Sequence, residues 1–170
     1  MNPSQPNSFE QLVLPHLDAA YNLARWLAGN DHDAADIAQE AYVRAYRFID
    51  SHRGGDARAW LLAIVRNTAF SWLKKNRPAA VITISDEELR ELEAPVSAGP
   101  VAGVDAAALR AALAALPLEF REAIVLRELE GLSYKEIAEV AGVPVGTVMS
   151  RLARARRQLQ QYFISPGGAP

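Results

Sequence analysis

The chain has 170 residues and a mass of 18.5 kDa, half of its residues are hydrophobic, and its charges nearly cancel at a net −2. Such a composition folds into one ordinary domain or two small ones and excludes disordered and collagen-like chains. With no cysteine, disulfide scaffolds, thiolate metal sites and cysteine nucleophiles are excluded, and a reducing compartment is favoured. The longest apolar run, Ala59 to Val65, is far short of the roughly 20 residues that span a bilayer. The polar start has no basic region followed by an apolar stretch. A cytoplasmic protein without membrane insertion is expected.

The small net charge conceals an alternation of blocks. Residues 1–40 and 78–105 each carry −5, residues 41–77 carry +6, and residues 142–170 carry +4 with no acid at all. Each basic block by itself is the composition of a solvated helix face. Only placement on particular helices gives it a function.

In chain order, apolar residues recur at spacings of three and four, and no stretch alternates with the period of a strand, so the fold class is all-α. A first helix is expected from Ser8, capped by its hydroxyl with Gln11 reaching back, through Leu12, Tyr21 and Leu27, with a kink at Pro15. Gly29 and Asn30 stop it, and Asp31 is the expected cap of a second helix running to about Ile49. A loop from Asp50 to Gly55 leads to a third helix from Asp56 or Ala57 to about Lys75. From Pro78 to Val104 the pattern gives way to Pro, Gly, acids and alanines, the composition of a flexible linker, with a short extended piece at Val81, Ile82 and Ile84. A structureless stretch of roughly 25 residues is improbable inside one compact domain. Two small helical domains are therefore expected, 9–77 and 105–163, joined by 78–104.

The second domain opens with a helix capped by Asp105 and ended by Pro117, then continues from Leu118 to Glu130. Next, Ser133-Tyr134-Lys135-Glu136 has the form of a capping box on a short helix. Gly142 and Pro144 make a tight turn into a longer helix from Val145 to about Tyr162. Two helices joined by a glycine turn of about three residues have the form of a helix-turn-helix, whose second helix enters the DNA major groove. Projected on that helix, Val145, Val148, Leu152, Ala155 and Leu159 share one side. Thr147, Ser150, Arg151, Arg154 and Arg157 lie on or beside the other, a basic and hydroxylic face suited to phosphate and guanine.

On the second helix, Asp33, Asp36, Gln39, Glu40, Arg44 and Arg47 form an acidic start and basic finish that complement the helix dipole. His32, Asp36 and Glu40 are spaced on one face, but a single exposed helix without a second arm is a poor metal site. No metal or other cofactor is expected. The third helix is apolar nearly all round, yet Ala63, Asn67, Phe70, Ser71 and Lys74 share a side that offers an amide, a hydroxyl, a cation and an aromatic ring, the inventory for gripping unstacked bases.

Together these motifs resemble a bacterial sigma factor of the extracytoplasmic-function group, over about Phe9 to Phe163. The stretch Asp33-Ala34-Ala35-Asp36-Ile37-Ala38-Gln39-Glu40 through Tyr46 is similar to the family's region 2.2, which implies that Asp33, Asp36, Gln39, Glu40, Arg44 and Arg47 face core RNA polymerase. Ala59-Trp60-Leu61 through Arg66-Asn67 resembles regions 2.3 and 2.4. The resemblance implies minus-ten promoter DNA contacts from Ala63, Asn67, Ser71 and Lys74, with Arg53 from the preceding loop. Leu132 to Ala138 with Val143 to Arg151 resembles region 4.2, implying minus-thirty-five contacts from Thr147, Ser150, Arg151, Arg154 and Arg157. Met149 stands where the family often has a basic residue, and Ala63 and Ser71 replace larger polar ones. The resemblance also implies an anti-sigma factor as partner, a monomer when free, and no catalysis. The rival readings are a decoy that binds only an anti-sigma protein, a dimeric helix-turn-helix regulator, and a metal enzyme built on the second helix.

Overall fold

A computed structural model describes residues 5–52, 54–81 and 105–164. Among the described residues the fold is helical, with no strand. Helix α1 (Gln5–Val13) and α2 (Leu17–Ala28) are separated by a 3-10 turn at Leu14–His16 that contains Pro15, as the proline demands. Because α1 begins at Gln5, Ser8 lies inside it rather than at its cap; Pro6, tolerated in a first turn, carries the start upstream. Gly29 takes the left-handed conformation, φ 84°, that ends α2. Helix α3 (Asp31–Arg47) is capped by Asn30, not Asp31: the Asn30 side chain accepts from the Asp33 amide at 2.8 Å. Asn30 has the extended backbone that a cap requires, whereas Asp31 is already helical and serves the dipole.

Helix α4 (Ala57–Asn76) starts on the Asp56 cap and precedes a 3-10 turn at Pro78–Ala80. Beyond Val81 the expected linker and its extended piece at Ile82 and Ile84 lie outside the described residues. In the second half, α5 (Ala106–Ala115) is capped by Asp105, whose carboxylate accepts from the Ala108 amide at 2.7 Å. Helix α6 (Leu118–Ile124) runs into a π-helical turn, Val125–Leu129, which period-3.6 reasoning does not anticipate. Helices α7 (Tyr134–Ala141) and α8 (Val145–Ile164) are the last described elements.

Helices α2, α3 and α4 pack pairwise around Leu23, Leu27, Ile37, Leu61, Leu62 and Leu73, while α6, α7 and α8 enclose Phe120, Leu126, Ile137 and Leu152. The two cores are continuous. Helix α4 lies against α7, and α2 against α5 and α6. At this junction Arg121 is buried, its guanidinium donating to the carbonyls of Leu113 (2.9 Å), Ala114 (3.0 Å), Leu116 (3.0 Å) and, across the halves, Leu27 (2.8 Å). One cation thus satisfies orphan carbonyls at the ends of α5 and α2. Burial lowers its pKa, but a guanidinium stays charged.

Candidate nucleic-acid interface

The pair α7–α8 is built as the sequence demands. Ser133 Oγ accepts from the Glu136 amide at 3.1 Å and Glu136 Oε1 from the Ser133 amide at 2.9 Å, closing the capping box. Gly142, φ 69°, ends α7 by donating to the Ala138 carbonyl at 2.9 Å, a conformation that a side chain would strain. Val148, Leu152 and Ala155 of α8 are buried, as are Ile137, Ala138 and Ala141 of α7. Of the side expected to meet DNA, Ser150 is exposed, and Thr147, Arg151 and Arg157 are half-buried. Arg154 departs from expectation: it is only 4% exposed. A single-helix projection puts it in the middle of the polar face but takes no account of other elements, and α5, α6 and α7 all pack on α8. Arg156, absent from the expected set, is half-exposed and paired with Glu128 at 2.8 Å.

On α4, Asn67, Ser71 and Lys74 are exposed and Ala63 and Phe70 half-buried, so this side is presented as expected, while Arg53 lies outside the described residues. Arg66 links this side to the second half. Its guanidinium sits 3.8 Å from the centre of the Phe70 ring, its Nη1 donates to the Asn67 side-chain oxygen at 3.2 Å, and its Nε donates to Glu122 Oε1 at 2.7 Å. Glu122 belongs to the second half, and its side chain is 1% exposed. Its other oxygen, Oε2, has no hydrogen-bond partner. Burial pushes the Glu122 pKa up, against the pull of Arg66 and Arg151. The sequence reading passed over Arg121, Glu122 and this role of Arg66. The available signal was an Arg-Glu pair set between Phe120 and the apolar run Ala123 to Leu126, where solvated residues are out of place.

On α3, Asp36, Gln39, Glu40 and Arg47 are exposed, and Glu40 pairs with Arg44 at 2.8 Å. Asp33 differs from the rest of the expected set. It is turned inward, held by Asn30 at 3.0 Å and Arg77 at 2.7 Å, and these two partners depress its pKa. Arg77 also donates to the Ala28 carbonyl at 2.7 Å, so Asp33 joins the ends of α2, α3 and α4. Next to the polar residues, Val43, Tyr46 and Phe48 are exposed apolar groups. His32 and Asp36 stand 4.0 Å apart, and among the described residues no three potential ligands cluster to hold a metal. No described helix is long and apolar enough to cross a membrane.

The sigma-70 region 2 family matches residues 12–78 and the sigma-70 region 4 family residues 106–159. The sigma-H factor of Pseudomonas aeruginosa is 35% identical over 165 residues, covering 91% of this chain and 85% of that one. The chain belongs to the extracytoplasmic-function group of the sigma-70 family. The extracytoplasmic-function sigma-E factor of Escherichia coli is 40% identical over 141 residues, 75% of this chain and 72% of that one. SigE of Mycolicibacterium smegmatis is 38% identical over 92% of this chain, which spans 62% of that longer sigma factor. Among solved structures, the sigma factor RpoE of Bartonella quintana, in complex with the anti-sigma factor NepR, superposes with a TM-score of 0.70 at 30% identity, covering 90% of this chain and 94% of that one. CnrH, in complex with the cytosolic domain of CnrY, gives 0.65 at 28% identity, covering 91% and 86%. The family matches coincide with the two helical halves.

Proposed function

We propose that this sigma factor is a cytoplasmic transcription initiation factor without catalysis of its own. It docks on core RNA polymerase through α3 and directs the enzyme to promoters. The α4 side bearing Ala63, Asn67, Ser71 and Lys74, with Arg53, reads the minus-ten element. The α8 side bearing Thr147, Ser150, Arg151 and Arg157 reads the minus-thirty-five element, while Arg154, buried among its neighbours, takes no part in that contact. The observation that carries this reading is the α7–α8 pair. A reciprocal cap, a left-handed glycine at the turn and a half-open arginine side on the second helix are the geometry that seats a helix in the major groove. The matched family supplies the context.

On α3, the outer polar residues Asp36, Gln39, Glu40 and Arg47 beside Val43 and Tyr46 give a mixed surface suited to a protein partner. Asp33 acts there by fixing the helix rather than by touching the polymerase. Linking two weak promoter contacts raises their joint affinity through effective concentration. Acidic blocks meanwhile suppress nonspecific DNA binding, which scales with the phosphates neutralised. An anti-sigma factor as regulator draws support from the relative solved with NepR.

Run-off transcription with added core polymerase over the DNA upstream of this protein's own gene tests the reading. Transcripts that require the protein, and that are lost in Arg151→Ala/Arg157→Ala, are expected. Absence of transcript from every promoter tried contradicts it and favours the decoy.

A further inference from the structure

The outward side of α8 is not centred on its arginines. Over residues 145–153 the exposed positions are Val145, Gly146, Met149, Ser150 and Ala153, and none of them carries a charge. Arg151 is half-buried beside them, Arg154 is buried, and Arg156 is held by Glu128 at 2.8 Å. Met149 is 53% exposed and Val145, one turn before it, 40%. A spacing of four places Val145, Met149 and Ala153 in a single row along the helix.

The neighbouring row offers little to a base edge. Gly146 has no side chain, and Ser150 spends its hydroxyl proton on the Gly146 carbonyl at 3.1 Å. A Cβ built on Gly146 would meet nothing within 4 Å, so no internal packing demands the glycine. Its effect is outward: the backbone beside Met149 can lie close to whatever faces it. In a helix-turn-helix the N-terminal residues of the second helix are the ones that reach base edges. Guanine, adenine and cytosine present donors and acceptors in the major groove, to which this row has no answer. Thymine adds an apolar group, its C5-methyl. An unbranched thioether, flexible and polarizable, moulds to such a surface.

We propose that Met149 is the specificity-determining residue of α8: it packs on the C5-methyl of a thymine in the minus-thirty-five element, with Val145 and Ala153 completing the row. The inference rests on the reading of α8 as the minus-thirty-five helix. It adds the base and the kind of contact. Arg151 beside the row and Arg157 beyond it hold phosphates and place the helix, while an apolar touch chooses the sequence.

Core polymerase loaded with this factor selects duplexes from DNA upstream of the gene in which the minus-thirty-five block is randomised. Each thymine of the recovered block is then replaced by deoxyuridine, which removes the C5-methyl and leaves every hydrogen-bonding group in place. At one thymine the native complex is expected to bind about fourfold more weakly after the replacement, the worth of one buried methyl. Met149→Ala is expected to bind the thymine and deoxyuridine duplexes alike, and Met149→Leu to keep the difference. Because Met149 is exposed, neither change disturbs the core.

A recovered block without thymine, deoxyuridine neutral at every thymine, or a loss as large in Met149→Ala as in the native chain overturns the proposal and leaves α8 as the minus-thirty-five helix. Recovery of no preferred block, while the minus-ten preference persists, removes the underlying reading and the proposal with it.

Discussion

The side of α8 and the side of α4 are both polar strips on otherwise apolar helices, yet their settings differ. On α8 the strip is positioned from within its own half, by the capping box, Gly142 and the burial of Val148, Leu152 and Ala155. On α4 the strip borders a contact with the other half, the pair of Arg66 with Glu122. Local sequence therefore builds the first, whereas a contact between residues 56 positions apart adjoins the second.

The largest effect that bears on this contrast is expected at the junction. Arg121→Ala leaves carbonyls of α5 and α2 without their donor, and a loss of about 3 kcal/mol of stability is expected by urea denaturation. Two separate unfolding transitions in place of one would show that the halves are joined mainly through this residue. Next, Arg151→Ala/Arg157→Ala is expected to weaken promoter binding by the polymerase complex about 100-fold, two charge-assisted contacts, while leaving polymerase binding unchanged. Asn67→Ala is expected to cost about tenfold in the same assay, with the loss confined to promoters whose minus-ten element is intact. Ser133→Ala removes half of the capping box and is expected to lower stability by about 1 kcal/mol, measured by thermal melting.

The smallest expected effect is a dependence on pH. Burial raises the Glu122 pKa in the packed protein, with Arg66 of α4 and Arg151 of α8 opposing and Glu119 of α6 assisting the rise. A carboxyl whose pKa is higher folded than unfolded costs stability while ionised. That cost is relieved as pH falls from the raised value toward the ordinary 4.5. Asp33 works in the opposite sense: hydrogen bonds from Asn30 and Arg77 depress it, so its contribution is present above 3.8 and is lost as pH falls further. Glu122→Gln is expected to flatten the rise in urea midpoint as pH falls toward 4.5. An unchanged pH profile in that variant would place the titration elsewhere.

What the sequence made legible was local. The order of helices, the stop at Gly29, the start of α4 at Asp56 or Ala57, the Asp105 cap, the Ser133–Glu136 box and the turn at Gly142 each depend on residues within one turn of each other. The Asn30 cap was misplaced by one residue because Asp31 has an equally suitable side chain, and only the backbone distinguishes them. Burial of Arg154 and the inward turn of Asp33 are decided by neighbours distant in sequence, to which helical projection is blind. Arg121 and Glu122 were hidden for the same reason. Their signal, a charged pair within an apolar run, acquires meaning only once the facing carbonyls and Arg66 are known.

The central claim is that both strips meet one promoter at the same time and do so on core polymerase. Footprinting at moderate salt over the DNA upstream of the gene tests it most directly. Protection of the minus-ten and minus-thirty-five elements together, appearing only when core polymerase is added, is the predicted result. Equal protection of both elements by the isolated protein would contradict it.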